Sequence, residues 1–169
     1  MKLHIGGEQV KEGWKILNAQ QKPGVDFIGD ICDLSQFSAE SMEAIYASHV
    51  LEHVSQPKML ATLQGVHRVL RTDGKFYVSV PDMDILAHTF ISPIATIEEK
   101  FKVMCMMFGA QGDDFDYHHF GWNQLFMWDF LTRTGFSNAE RVVSFGLFDD
   151  TSNSRPFGFP ISLNVIATK

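Results

Sequence analysis

Cysteine is nearly absent. The 169 residues hold only Cys32 and Cys105, far apart and with no C-x-x-C pair. That excludes a disulfide-stapled scaffold and a zinc ribbon, and fits a reducing compartment. Basic residues are outnumbered, 14 against 20 acidic ones for a net charge of −6, and they are scattered. With no basic stripe to neutralise phosphates, nucleic acid is not an expected partner. No apolar run approaches the roughly 20 residues of a membrane span, and the opening "MKLHIGGEQV" lacks the apolar stretch of a signal peptide. The expectation is a soluble, cytoplasmic protein with no membrane partner. Repeats, low-complexity tracts and linkers are also missing, so residues 1–169 read as a single domain, long enough to bury one core without a staple. The composition supports this: 45% of residues are hydrophobic, 20% are charged and 15 are Phe. A disordered chain does not look like this.

The remaining pattern alternates strand and helix. Short β-rich runs occur at 2–5, 14–17, 25–30, 43–48 and 75–80, each followed by turn residues. Between the last two, "PKMLATLQGVHRVL" puts Met59, Leu63, Val66 and Leu70 on one helical stripe, closed by "RTDG". A strand–helix–strand unit of this kind implies parallel pairing with a right-handed crossover. In the second half, "TIEEKFKVMCMMFG" opens with Thr96 and Glu99 in capping-box spacing and predicts a helix ending at Gly109. A further helix is expected from Asn123 to the Gly135 stop; it is apolar nearly all round and should be well buried. The runs 139–148 and 161–169 have no helix between them and read as an antiparallel hairpin with a long loop. The sum is an α/β fold, a mostly parallel sheet with one reversed strand.

Residues 49–53, His49-Val50-Leu51-Glu52-His53, fit the H-x-x-E-H pattern of an inverted zinc peptidase. That site needs both histidines on one continuous helix. Here a strand ends at Ser48 and the next helix starts near Ser55 and Pro57, leaving room for about one turn. No metal is expected. The alternative places His49 at the carboxyl end of a central parallel strand, where open α/β sheets bind ligands; His53 reads as a turn residue satisfying backbone groups.

Several stretches together, "LHIGGEQVKEGW", "PGVDFIGDICDL", "EAIYASHVLEHV", "RVLRTDGKFYVSVPD", "YHHFGWN", resemble the compact class I S-adenosylmethionine-dependent methyltransferases of the type 11 kind. The resemblance implies a Rossmann-like, seven-stranded sheet with a C-terminal antiparallel hairpin, and S-adenosylmethionine as cofactor. It places Gly6, Gly7 and Glu8 in the loop after the first strand and Asn18 where an acidic residue normally holds the ribose. Asp30, with Ile31 and Cys32, falls at the adenine, and Ser48, His49 and Leu51 fall beside the methionine portion. Asp33 reads equally well as a turn residue. Two positions depart from the pattern. Glu8 stands where a second glycine is expected and brings negative charge towards the cofactor carboxylate. Asn18 lacks the bidentate, charge-assisted geometry of a carboxylate. Only Gly7 to Gly13 separate the first two strands, so the first helix must be shortened to a turn or lost.

Methyl transfer from a sulfonium needs mainly proximity and orientation. For a hydroxyl acceptor a base helps, and His49, Asp82 and His118 stand at the expected pocket mouth. His119 falls on a variable position of the family pattern. Residues 85–122 lie where this fold carries an acceptor-side insertion or lid; there Met104, Met106 and Met107 read either as an adaptable apolar surface or as core. The resemblance points to a small-molecule or glycan acceptor. The alternative is a methyltransferase-fold protein whose degraded cofactor site leaves a non-catalytic binding module. Exposed aromatic residues within 145–160 would support a homodimer.

Overall fold

The structure, a computed structural model, describes residues 1–112 and 116–169. They form seven strands, four α-helices and two short 3-10 turns. The strands are β1 (Lys2–Ile5), β2 (Trp14–Asn18), β3 (Phe27–Ile28), β4 (Met42–Ser48), β5 (Leu70–Pro81), β6 (Asn138–Val142) and β7 (Ser162–Thr168). The helices are α1 (Gln56–Val69), α2 (Met83–Ile91), α3 (Ile97–Phe108) and α4 (Gln124–Arg133). One sheet holds all seven strands in the order β3-β2-β1-β4-β5-β7-β6. Pairs among β1 to β5 are parallel, and β7 runs antiparallel to both β5 and β6. This is the expected mostly parallel sheet with one reversed strand.

Alternation along each strand splits the sheet into two unlike faces. Leu3, Ile5, Leu17, Ile45, Ala47, Phe76, Val78 and Val165 point into the main core, beneath Met59, Leu63 and Val66 of α1 and Met127 and Leu131 of α4. The opposite face carries Trp14, Ala44 and Tyr46. Among the described residues no helix forms in the crossovers 6–13, 19–26 and 29–41. The loss expected for the first crossover therefore extends to three. The second face is covered instead by Phe145, Leu147 and Phe148, whose chain folds back after β6. This corrects the longer strand expected over 139–148: the aromatic residues leave the ladder because they have a bare sheet face to bury. Of the aromatic residues in 145–160, Phe145 and Phe148 pack within the chain, whereas Phe159 is exposed.

Other differences have local causes. β3 keeps only two of the six residues read as strand, because Gly29 leaves the ladder at φ +151°; a short edge strand also resists edge-to-edge pairing. "RTDG" is not a loop but a bulge inside β5, with Asp73 left-handed at φ +61° and a register shift opposite Met42 and Ala44. α2 was not legible as a helix; Asp82 caps it by accepting from the Asp84 N–H at 3.1 Å. α4 is only one-sided: Met127 and Leu131 are buried, but Leu125 and Phe126 face solvent. Thr96 and Glu99 do form the reciprocal capping box at the start of α3. α2 and α3 build a satellite core of Leu86, Val103 and Ile161, onto which Met106 and Met107 pack. Two of the three methionines are thus partly core.

Candidate active site

A cleft of about 480 Å³ opens at the carboxyl ends of β1 to β4. It lies where the strand order turns, with β2 and β3 on one side of β1 and β4 on the other, the position where open α/β sheets hold ligands. Gly6, Glu8, Asn18, Asp30, Ile31, Cys32 and His49, all singled out in the sequence, line it together with Ile5. Gly6 sits at φ +74°, and a Cβ there would come 2.7 Å from Val50 Cγ2. Bare backbone is therefore required where the first loop meets the turn after β4. Gly7 does not line the cleft; it packs against the His4 ring, which a Cβ would meet at 2.3 Å.

Glu8 does not present an isolated charge. It forms an ion pair with Lys22, which shares the cleft wall. The like-charge objection raised by its sequence position is answered by a cation 14 residues away. Asn18 departs further from the ribose role. Its Nδ2 donates to the Gly7 carbonyl at 3.2 Å and its Oδ1 accepts from the Gln20 N–H at 2.9 Å. Both ends of the amide are spent on backbone, tying the first loop to the segment after β2. Gln20, two residues on, lines the cleft. One Asp30 oxygen accepts from the Cys32 N–H at 2.6 Å, closing a turn.

Ser48 and Leu51 stand apart from the cleft. Ser48 Oγ donates to Asp150 Oδ1 at 3.2 Å on the opposite face of the sheet, and Leu51 is wholly buried in the main core. Asp82 is not placed as a free base. It caps α2 and is held by Arg141 at 2.7 Å. His118 lies outside the cleft lining, edge-on to His53 with ring centroids 4.9 Å apart, while His119 lines the cleft. Burial lowers the His118 pKa, opposed by Glu52 and reinforced by His53. Sequence reading missed Gln20, Lys22, His53, Tyr117 and His119 as lining residues. Lys22 was the findable one, since a cation placed to neutralise Glu8 is a natural partner for a misplaced acid.

His49 is the best-placed imidazole. Its backbone is left-handed at φ +54°, an uncommon state for a residue with a Cβ and one that recurs at functional turns. Its N–H donates to the Ser79 carbonyl at 2.8 Å, anchoring the turn across β4 and β5. Its Nε2 lies 2.9 Å from Ser162 Oγ and its Nδ1 3.2 Å from Glu52 Oε1.

A parallel sheet closed by a reversed β7, with a ligand cleft at the switch point, defines the class I methyltransferase fold. The chain has this fold, and its residues 3–78 match the family model described as "Methyltransferase domain". No curated protein matches the chain in sequence. Among solved structures, the Burkholderia thailandensis 1,6-didemethyltoxoflavin-N1-methyltransferase, with its substrate and S-adenosylhomocysteine bound, is 14% identical with a TM-score of 0.62 over 99% of this chain and 70% of that one. An S-adenosylmethionine-dependent methyltransferase from Archaeoglobus fulgidus is 12% identical, also at 0.62, over 99% and 85%. The methyltransferase CalH, complexed with S-adenosylhomocysteine, is 15% identical at 0.58, over 99% and 50%. At these identities the likeness is one of fold.

Proposed function

We propose that this protein transfers the methyl group of S-adenosylmethionine to a small-molecule or sugar acceptor. The observation that carries the reading is the cleft at the strand ends, where Gly6 offers bare backbone and Lys22 offsets Glu8. Gly6 and Glu8 would border the amino-acid part of the cofactor, Gln20 the ribose, and Asp30 and Ile31 the adenine. S-adenosylmethionine, when bound, supplies a methyl carbon already activated by its sulfonium. The chain's own task is then positioning and exclusion of water.

For a hydroxyl acceptor, His49 is the imidazole on the cleft wall placed to orient the hydroxyl, its two ring nitrogens being engaged by Ser162 and Glu52. It is half-buried at the cleft wall and held in orientation by Ser162. Asp82 and His118 drop from that role on position. Residues 85–112 and 116–122, with α2 and α3, form the acceptor side; 113–115 lie outside the described residues. Two of the structurally similar proteins were solved with S-adenosylhomocysteine, one of them with a small heteroaromatic substrate, which favours a small-molecule acceptor.

A second reading, a binding module without catalysis, is favoured by one feature. The Asn18 amide is already committed to backbone. Thermal denaturation with S-adenosylhomocysteine separates the two. A rising midpoint in the wild type, lost in Gly6→Val while that variant still unfolds cooperatively, supports the enzyme; no shift in the wild type supports the module. Transfer of labelled methyl from S-adenosylmethionine into a panel of sugars and heteroaromatics then reads the acceptor.

A further inference from the structure

Glu52 is 1% exposed, yet neither oxygen of its carboxylate has a hydrogen-bond donor among the described residues. Burying a carboxylate without a compensating donor or cation costs several kcal/mol. Around it stand three imidazoles. Ligand atoms of Glu52, His53 and His118 lie within 4.8 Å of one another. His49 Nδ1 approaches Glu52 Oε1 at 3.2 Å without the alignment of a hydrogen bond.

The hydrogen-bond network assigns which ring nitrogens are bare. Ser162 Oγ gives its only hydrogen to the Thr151 carbonyl, so it must accept from His49 Nε2–H. With Nε2 carrying that hydrogen, His49 Nδ1 is the ring nitrogen that faces Glu52. His53 Nδ1 lies 3.0 Å from the Tyr117 carbonyl, which can only accept. His53 therefore keeps its proton there and leaves Nε2 bare. A backbone carbonyl holding the distal N–H is the arrangement that fixes histidines as metal ligands.

The donor set also comes from two segments locked together. The Glu52 carbonyl accepts from the His119 N–H at 2.7 Å and from the Phe120 N–H at 3.2 Å. That clamp presents His118 to the Leu51–His53 turn. The H-x-x-E-H pattern does not make the one-helix zinc site, because residues 51–53 form a single 3-10 turn. The folded chain gathers a different set, recruiting His118 from the segment before α4.

We infer that Glu52, His53 and His118 bind a divalent transition-metal ion of the zinc type, with His49 set against the same carboxylate. Imidazole and carboxylate donors favour such an ion over magnesium. His53 lines the cleft, so the ion would be reached from the cleft wall. The inference replaces the expectation of no metal and is independent of methyl transfer.

The test uses the full chain, stripped with a chelator and titrated calorimetrically with Zn²⁺ and, separately, Mg²⁺. One zinc per chain should bind at micromolar affinity or tighter, and magnesium should not compete. His118→Ala and Glu52→Gln should each weaken zinc by roughly 10- to 100-fold, the scale of effect seen when support of a metal site is removed. His88→Ala, on the exposed face of α2, should leave binding unchanged. Circular dichroism checks that each variant folds, and Co²⁺ loading of the wild type gives a readout that needs no variant: visible bands of a nitrogen-ligated ion are expected. Absence of zinc binding at millimolar metal, absence of those bands, insensitivity to both folded variants, or loss in His88→Ala would each overturn the inference.

Discussion

At the scale of single residues, Asn18 is the most informative. Its sequence position suggests that restoring an acid would restore a ribose contact. Its structure predicts the reverse. In Asn18→Asp the donor to the Gly7 carbonyl becomes an acceptor facing an acceptor, at a site only 9% exposed. The variant should lose about 1–3 kcal/mol of stability, read by urea denaturation, with no gain in affinity for S-adenosylhomocysteine. An unchanged midpoint with tighter binding would reinstate the ribose role. Lys22 gives a second prediction. Lys22→Glu places two acids at the cleft mouth and should weaken binding of the cofactor by roughly tenfold, the effect of about 1.4 kcal/mol.

At the scale of elements, the second sheet face of β1, β2 and β4, beneath Phe145 and Phe148, sets the pH response. His4 is 5% exposed between Tyr46 and Phe148, with ring centroids 5.0 and 4.1 Å away. Burial holds its pKa down to about 4, against some opposition from Asp150. An unfolded histidine takes up its proton near pH 6.5, whereas the folded one does not until about pH 4. Between those values the unfolded chain binds more protons, so stability is lost by about 1.4 kcal/mol for each unit by which the pH drops. His4→Phe should flatten that slope in thermal melts between pH 4 and 6.5; an unaltered slope would place the titrating group elsewhere. Asp150 resists acid in the same cluster. Burial raises its pKa, but hydrogen bonds from Ser152, Tyr46 and Ser48 more than offset this and leave it below the ordinary carboxylate value.

These elements also show what the sequence could reveal. Strands with apolar runs and strong turn residues, such as β1, β2, β4 and β7, were legible because their pattern and burial agree. The capping boundaries of α3 and α4 were legible because Thr96, Glu99 and Asn123 carry local signals. α2 was missed because its sequence "MDILAHTFI" follows directly on a strand, and only its Asp82 cap separates the two. The end of β6 was overread because period-2 patterning does not show which face of a sheet lacks cover. At the site, the backbone-determined members Gly6 and Asp30 were placed from sequence; Lys22, His119 and the true partners of Asn18 depend on tertiary contacts with no local signature.

At the scale of the whole molecule, three crossovers without helices leave one face of the sheet to a single returning segment. Phe148 is its central plug, packed edge-on against Trp14 at 5.3 Å and tilted on Tyr46 at 4.7 Å. Phe148→Ala should cost about 3–5 kcal/mol and shift Trp fluorescence to the red as Trp14 meets water. A variant with native stability would mean that residues 143–153 decorate the sheet rather than complete the core. The described helices include none long and apolar enough to cross a membrane. The cleft depends on loops after β1, β2 and β3 that no helix reinforces, so cofactor binding should order them and raise stability by mass action.

Methyl transfer requires that the cleft take S-adenosylmethionine. Isothermal titration of the wild-type chain with S-adenosylhomocysteine decides it most directly. The structure predicts one site per chain with a dissociation constant in the micromolar range, abolished in Gly6→Val. No heat at millimolar ligand, from a chain that is folded by circular dichroism, would contradict the enzyme reading and leave the binding module in its place.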